Sequence, residues 1–131
     1  HDIMKLNQTE KEQLRKLFTT NGLTKDDIFV HKNFTIIKRA GIEKIQAKNQ
    51  IKVEFDVVRC DPEFVVMKAV AYQNGEEDYC IETFGSATPK NCMSKHLVEM
   101  AEKRALSRAI LKVTNMYEHG VFGEDEDVHR D

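Results

Sequence analysis

The longest uninterrupted pattern in the chain runs from Ser94 to Met116, SKHLVEMAEKRALSRAILKVTNM, with no Gly or Pro. It predicts a helix of about six turns. At roughly 100° per residue, one arc collects Val98, Ala105, Leu106, Ala109, Ile110, Val113 and Met116, wide enough to cover a sheet. Ala101, Ala105 and Ala109 follow its edge at i, i+4, i+8, where small side chains let a helix approach a sheet closely. Arg104, Arg108 and Lys112 make a second line at the same spacing, with no acid at i±4 among them. Glu102 falls inside the apolar arc. Either it pairs with a cation from another element or protomer, or it lies in the first turns, where a helix N-terminus favours an acid.

Three strand patterns precede this helix. Ile51 to Val58 alternates, with Ile51, Val53, Phe55 and Val57 on one face and Lys52, Glu54 and Asp56 on the other. Phe64 to Tyr72 is apolar on both faces except at Lys68, the pattern of a central strand. Asp78 to Phe84 sets Tyr79, Ile81 and Thr83 against Cys80, Glu82 and Phe84. Cys60-Asp61-Pro62-Glu63 reads as a turn, Asn74-Gly75 as a hairpin tip and Gly85 to Asn91 as a loop.

Further upstream, Lys38 to Asn49 reads as a helix with Ile42 and Ile45 inward and Lys44 and Lys48 exposed, interrupted by Gly41. Thr9-Glu10-Lys11-Glu12 is a capping box opening a short helix with Leu14, Leu17 and Phe18 inward, closed near Asn21-Gly22. Thr24 to Phe29 adds one turn, with too little apolar face for the recognition helix of a helix-turn-helix.

The fold class expected is α+β: a three-stranded antiparallel β-meander with a long C-terminal helix packed on it (a β-β-β-α core) and short N-terminal helices. Residues 1–32 form a helical appendage, 33–122 the α+β core domain and 123–131 a disordered acidic tail. Both core helices are expected on one sheet face. The two-faced apolar central strand then argues for self-association or a docked partner.

The 131 residues suit one domain. No apolar run approaches the roughly 18 residues of a membrane span, and no signal peptide is visible in 1–8. Three cysteines without framework spacing fit a reducing compartment, so a cytoplasmic location is expected. The formal charge of −2 conceals a segregation. Lys32 to Lys52 holds six Lys/Arg and one acid, and Lys90 to Lys112 six Lys/Arg and two acids. Glu118 to Asp131 holds six acids and one Arg. A cationic body with an acidic tail suggests polyanion binding screened by the tail, though a merely solubilising tail has the same composition.

Candidate chemistry is sparse. Cys92 and His96 are at i, i+4, but two ligands without a second pair make no zinc site. No GxSxG, no Cys beside an identifiable base and no paired carboxylates of the glycosidase type occur, so no enzyme activity is expected. Gly85, Ser86, Thr88 and the amides near Ser94 are either a cradle for a backbone phosphate or a tight turn capped by Ser94 or Asn91. The polyanion candidates are Lys38, Arg39, Lys44 and Lys48 on the first core helix, Lys90 and Lys95 in the loop, and Lys103, Arg104, Arg108 and Lys112 on the long helix. The aromatics near them are Phe34, Phe84 and Tyr117, few enough to point to backbone contact rather than base reading.

The run TIIKRAGIEKI at 35–45, a meander ending Thr83-Phe84-Gly85-Ser86-Ala87, and Glu99-Met100-Ala101-Glu102-Lys103-Arg104-Ala105 with Arg108-Ala109 resemble small phage and mobile-element proteins. More distantly, roughly 33–126 is similar to the Rad-fifty-two-type single-strand annealing proteins. That resemblance implies a β-β-β-α core with a basic helix on the sheet, assembly into rings and single-stranded DNA in a positive groove. It implies cations at Arg104 and Arg108. The chain is short, mildly acidic and without a long basic extension, a departure from that pattern. The function expected is a single-stranded nucleic-acid-binding protein of the annealing and recombination type. It would bind DNA or RNA as a homo-oligomer, with no cofactor, metal or membrane. The alternative is an assembly module that binds no nucleic acid.

Overall fold

The structure, a computed structural model, describes residues 8–31, 34–73, 80–91 and 95–126. The chain is α+β. Helix α1 spans Gln8–Thr20 and is followed by a 3-10 turn, Lys25–Asp27, and strand β1, Ile28–Val30. Strand β2 (Thr35–Ile37) and helix α2 (Arg39–Lys48) come next. Then come β3 (Lys52–Asp61), β4 (Phe64–Tyr72), β5 (Cys80–Ala87), α3 (Leu97–Val113), a 3-10 turn at Met116–His119 and β6 (Val121–Gly123).

Strands β3, β4 and β5 form an antiparallel sheet in that order, with β4 central. Val65, Met67, Ala69 and Ala71 of β4 are buried with Ala101, Ala105, Ala109 and Ile110 of α3, which packs on β4 and β5. Gly85 permits the approach: a Cβ there would overlap the Ala101 carbonyl and the Ala105 amide. Strand β5 therefore runs through Gly85 and Ser86, which were expected in a loop. The register of β3 shifts between Val57 and Arg59, and both Val57 and Val58 lie exposed at this edge.

A single meander with one helix does not describe the molecule, because the chain builds a second sheet. Strand β1 pairs antiparallel with β2, and β2 pairs parallel with β6. Three-residue strands are too short to register as alternation, and β6 reaches β2 from the far end of the chain. Strand β1 also ties the expected helical appendage into a core sheet.

The acidic tail is not disordered from residue 123. Gly123 closes β6, and the backbone N–H of Glu124 donates to the Ile37 carbonyl at 3.0 Å. The remainder of the tail, 127–131, lies outside the described residues, as do the expected Asn74-Gly75 tip and Ser94.

Helix α2 packs against α3 and the 3-10 turn at 25–27. Gly41 meets that turn, since a Cβ there would lie 2.7 Å from Ile37 Cγ2 and 3.1 Å from the Asp27 carbonyl. Helix α3 starts at Leu97 and stops at Val113, shorter than 94–116, because Asn115 takes a left-handed φ of 59° and the chain tightens into the 3-10 turn. Among the described residues, no helix is long and apolar enough to cross a membrane.

Candidate nucleic-acid interface

An open cleft of about 780 Å³ lies where β5, α3 and the segment after β6 meet. Its cations are Lys90, Arg104 and Arg108, and its acids are Glu124, Asp125 and Glu126. Gly85, Ser86, Asn91 and Met100 complete the lining. The floor is held by local turn chemistry. Thr88 Oγ1 accepts the Lys90 and Asn91 backbone N–H groups at 3.2 and 3.3 Å, and Asn91 Oδ1 accepts the Thr88 N–H at 2.8 Å. Thr88 is thus engaged in its own turn with Asn91, and Gly85 and Ser86 sit in a strand, the arrangement of the tight-turn alternative rather than of a phosphate cradle.

Arg104 is a clamp rather than a free cation. Its Nε donates to the Asp125 carbonyl at 3.0 Å. Nη1 donates to the Ser86 carbonyl at 2.8 Å and to Asn91 Oδ1 at 2.9 Å, and Nη2 to the Asn91 carbonyl at 2.6 Å. One guanidinium thereby joins β5, the loop and the tail, because five fixed N–H donors suit several carbonyls at once. Arg108, one turn on, is more open. Its side chain is 56% exposed, Nη1 donates to the Phe84 carbonyl at 3.3 Å, and Nε lies 4.0 Å from Glu126 Oε1.

The carboxylates after β6 occupy anion positions. Glu124 Oε1 accepts the Arg39 backbone N–H at 2.7 Å, at the first turn of α2, where orphan amides favour negative charge. Glu126 accepts the Gly123 N–H at 2.6 Å and the Tyr117 hydroxyl. Burial, then the Glu126 acceptor, push the Tyr117 hydroxyl well above the usual tyrosine range, so it stays a donor. Asp125 Oδ2 is buried without a hydrogen-bond partner. Burial first, and then the Glu124 charge, raise its carboxyl above the ordinary value, against the pull of Lys103, Arg39 and Arg104.

The other expected cations divide. Lys44 Nζ donates to Asp27 Oδ2 at 2.7 Å, an ion pair whose carboxylate is buried. Lys44 is therefore tied into the fold through Asp27 and does not line the cleft. Arg39 pairs with Glu43 at 3.2 Å on its own helix. Lys38, Lys48, Lys95 and Lys112 are exposed and Lys103 is half-buried; among the described residues none of the five makes an ion pair or lines the cleft. Glu102 is half-buried.

Cys92 lies outside the described residues, and His96 occupies the N-cap position of α3, its Nδ1 3.0 Å from Glu99 Oε2. Cys60 and Cys80 are exposed free thiols registered against Val65 and Tyr72, at opposite ends of β4. Among the described residues, no group of three or more His, Cys, Asp or Glu is placed to hold a metal ion.

Residues Glu124, Asp125 and Glu126 were missed as parts of the site because an acidic run reads as a solvated tail. The available signal was Val121-Phe122-Gly123, a short apolar run ending in Gly just before them. No family model matches the chain, no curated protein matches it, and no solved structure matches it.

Proposed function

We propose that this chain binds single-stranded nucleic acid through its phosphate backbone, in the manner of strand-annealing and recombination proteins of phages and mobile elements. The observation that carries the reading is the cleft beside α3, lined by Lys90, Arg104 and Arg108, where Glu126 lies 4.0 Å from Arg108 and Glu124 accepts the Arg39 N–H at the first turn of α2. A polyanion meets the same donors. Arg108 and Lys90 offer the exposed charge in the cleft, and Lys112 extends the line along α3. Arg104 keeps the loop and the tail in place. Binding acts without a metal or cofactor, and a homo-oligomer aligns a strand for pairing with its complement. Such a protein works in the cytoplasm.

The test is fluorescence anisotropy of a labelled single strand, with a duplex control, at low and physiological salt. Single-strand preference is expected, with a log–log salt slope of about −2 per protomer if three phosphates are neutralised. Replacing Lys90, Arg108 and Lys112 by Ala should flatten that slope and leave folding intact, since none of the three is buried. No binding at low salt overturns the reading.

A second reading, an assembly module, is favoured by the outer edge of β3, where Val57 is 61% and Val58 55% exposed on a strand edge that no other described strand pairs. Salt-insensitive assembly without nucleic-acid binding would select it.

A further inference from the structure

The β1-β2-β6 sheet has three register rows: those of Ile37 and of Val121 share one face, and the row between them takes the other. Ile37 of β2 and Val121 of β6 are fully buried. The neighbouring register row is Phe29–Ile36–Phe122, and directly paired residues share a face. That row therefore faces away from the core side taken by Ile37 and Val121. Ile36, on the middle strand, is covered, while Phe29, on the edge strand, is 53% exposed. The two phenylalanines stand two strands apart, about 10 Å.

Phe122 also belongs to a chain of rings contributed by three segments. His31 stacks on Phe34 with centroids 4.4 Å apart and planes 8° from parallel. Phe34 meets Phe122 edge-on at 6.1 Å, and Phe122 meets Tyr117 at 5.9 Å. All four rings are half-buried, so none belongs wholly to the core. The last ring ends in the cleft: the Tyr117 hydroxyl donates to Glu126, which also accepts the Gly123 N–H and lies 4.0 Å from Arg108. An aromatic surface thus runs up to the cleft that holds Lys90, Arg104 and Arg108 together with Glu124, Asp125 and Glu126.

Partly open aromatic faces next to exposed cations are what an unpaired strand needs. The cations hold phosphates, and the rings offer π-faces on which any base can stack. A duplex keeps its bases turned inward and gains nothing from such a surface. We infer that the outer face of the β1-β2-β6 sheet, with Phe29 and Phe122 on its two outer strands and Phe34 beside Phe122, is a stacking platform for the unpaired bases of a strand whose phosphates lie along Arg108 and Lys90. The inference rests on the polyanion reading above and adds base stacking to it.

The experiment compares a labelled oligothymidylate with an abasic strand of equal length, which keeps the sugar-phosphate and lacks the bases. The wild-type chain is expected to bind the thymidylate roughly five-fold or more tightly than the abasic strand, the effect of losing at least one stack. Phe29→Ala and Phe122→Ala should narrow that gap by weakening thymidylate binding alone. Phe29 is exposed, so its variant stays readable even where Phe122→Ala fails to fold. Equal wild-type affinity for both strands overturns the platform while leaving backbone binding intact. An unchanged gap in a folded Phe29→Ala variant also overturns it. A variant that breaks up an oligomer yet keeps the gap shows the face to be a contact between copies instead. If neither strand binds at low salt, the polyanion reading itself fails, and the platform with it.

Discussion

The two sheets are built from different ranges of the chain. The β3-β4-β5 sheet uses strands of eight to ten residues from one continuous stretch, with α3 laid across it. The β1-β2-β6 sheet uses strands of three residues, one of them from the other end of the chain. Apolar packing holds the first. Beside the second, polar ties do much of the joining: Lys44 to Asp27, Lys38 N–H to the Asp27 carbonyl at 2.8 Å, and the Glu124 carboxylate to the Arg39 N–H. The first sheet is therefore expected to fail all at once and the second to open locally, since stability is not uniform across a fold. The candidate site lies on the boundary between them, so its tail-borne part inherits the weaker behaviour.

The largest effect is expected at Gly85. Its missing Cβ is the gap into which the Ala101 carbonyl and Ala105 amide fit, and backbone on both sides cannot yield cheaply. Gly85→Ala should cost about 3 kcal/mol or more, enough to remove most of the margin of a domain this size. Chemical denaturation followed by far-UV circular dichroism reads it. A variant as stable as the wild type would mean that α3 does not sit this close to β5.

A middle effect is expected at Arg104, where the two sheets are joined. Arg104→Ala leaves the carbonyls of Ser86, Asn91 and Asp125 without this donor. Replacing it should cost about 2 kcal/mol. Amide exchange should rise first in β6 and in the 88–91 turn, with the β3-β4-β5 ladder still protected. Uniform loss of protection would show that the sheets open together and that the contrast between them is wrong.

How much of this the residues announced follows the same division. The Phe64–Tyr72 strand matches its expected span, and the Lys38–Asn49 helix is within one residue of α2, because each is long enough for periodicity to act over several contacts. The helix line Arg104, Arg108, Lys112 was visible as spacing, but what each cation touches was not. Arg104 answers to backbone carbonyls, and Lys44 to Asp27, twenty or so positions away at most in chain and invisible as a pattern. Carbonyl acceptors carry no residue identity, so no motif marks them. The tail reads as solvent-borne because six acids in fourteen residues outweigh one three-residue strand. Its fixed part is set by a pairing with β2 that spans most of the chain.

The smallest effect lies beside the weaker sheet, between the 25–27 turn and α2, and depends on pH. Hydrogen bonding from Lys44, and next from the Thr24 N–H, holds the Asp27 carboxyl below its ordinary value of 3.8, despite burial acting the other way. A depressed carboxyl contributes stability that is present above the unfolded value and is lost as pH falls through the folded one. Lys44→Gln removes the first cause. Because Lys44 is 44% exposed and screened, the cost at neutral pH should be only about 1 kcal/mol. That gap between wild type and variant should close below pH 3.8 as Asp27 takes up its proton in both. Urea titrations at neutral and acid pH measure it, and amide exchange should place the loss in β1 and β2 rather than in β3 to β5. A gap that persists unchanged in acid would mean that Lys44 acts through packing of its methylene stem, and that the short sheet is held by apolar contact after all.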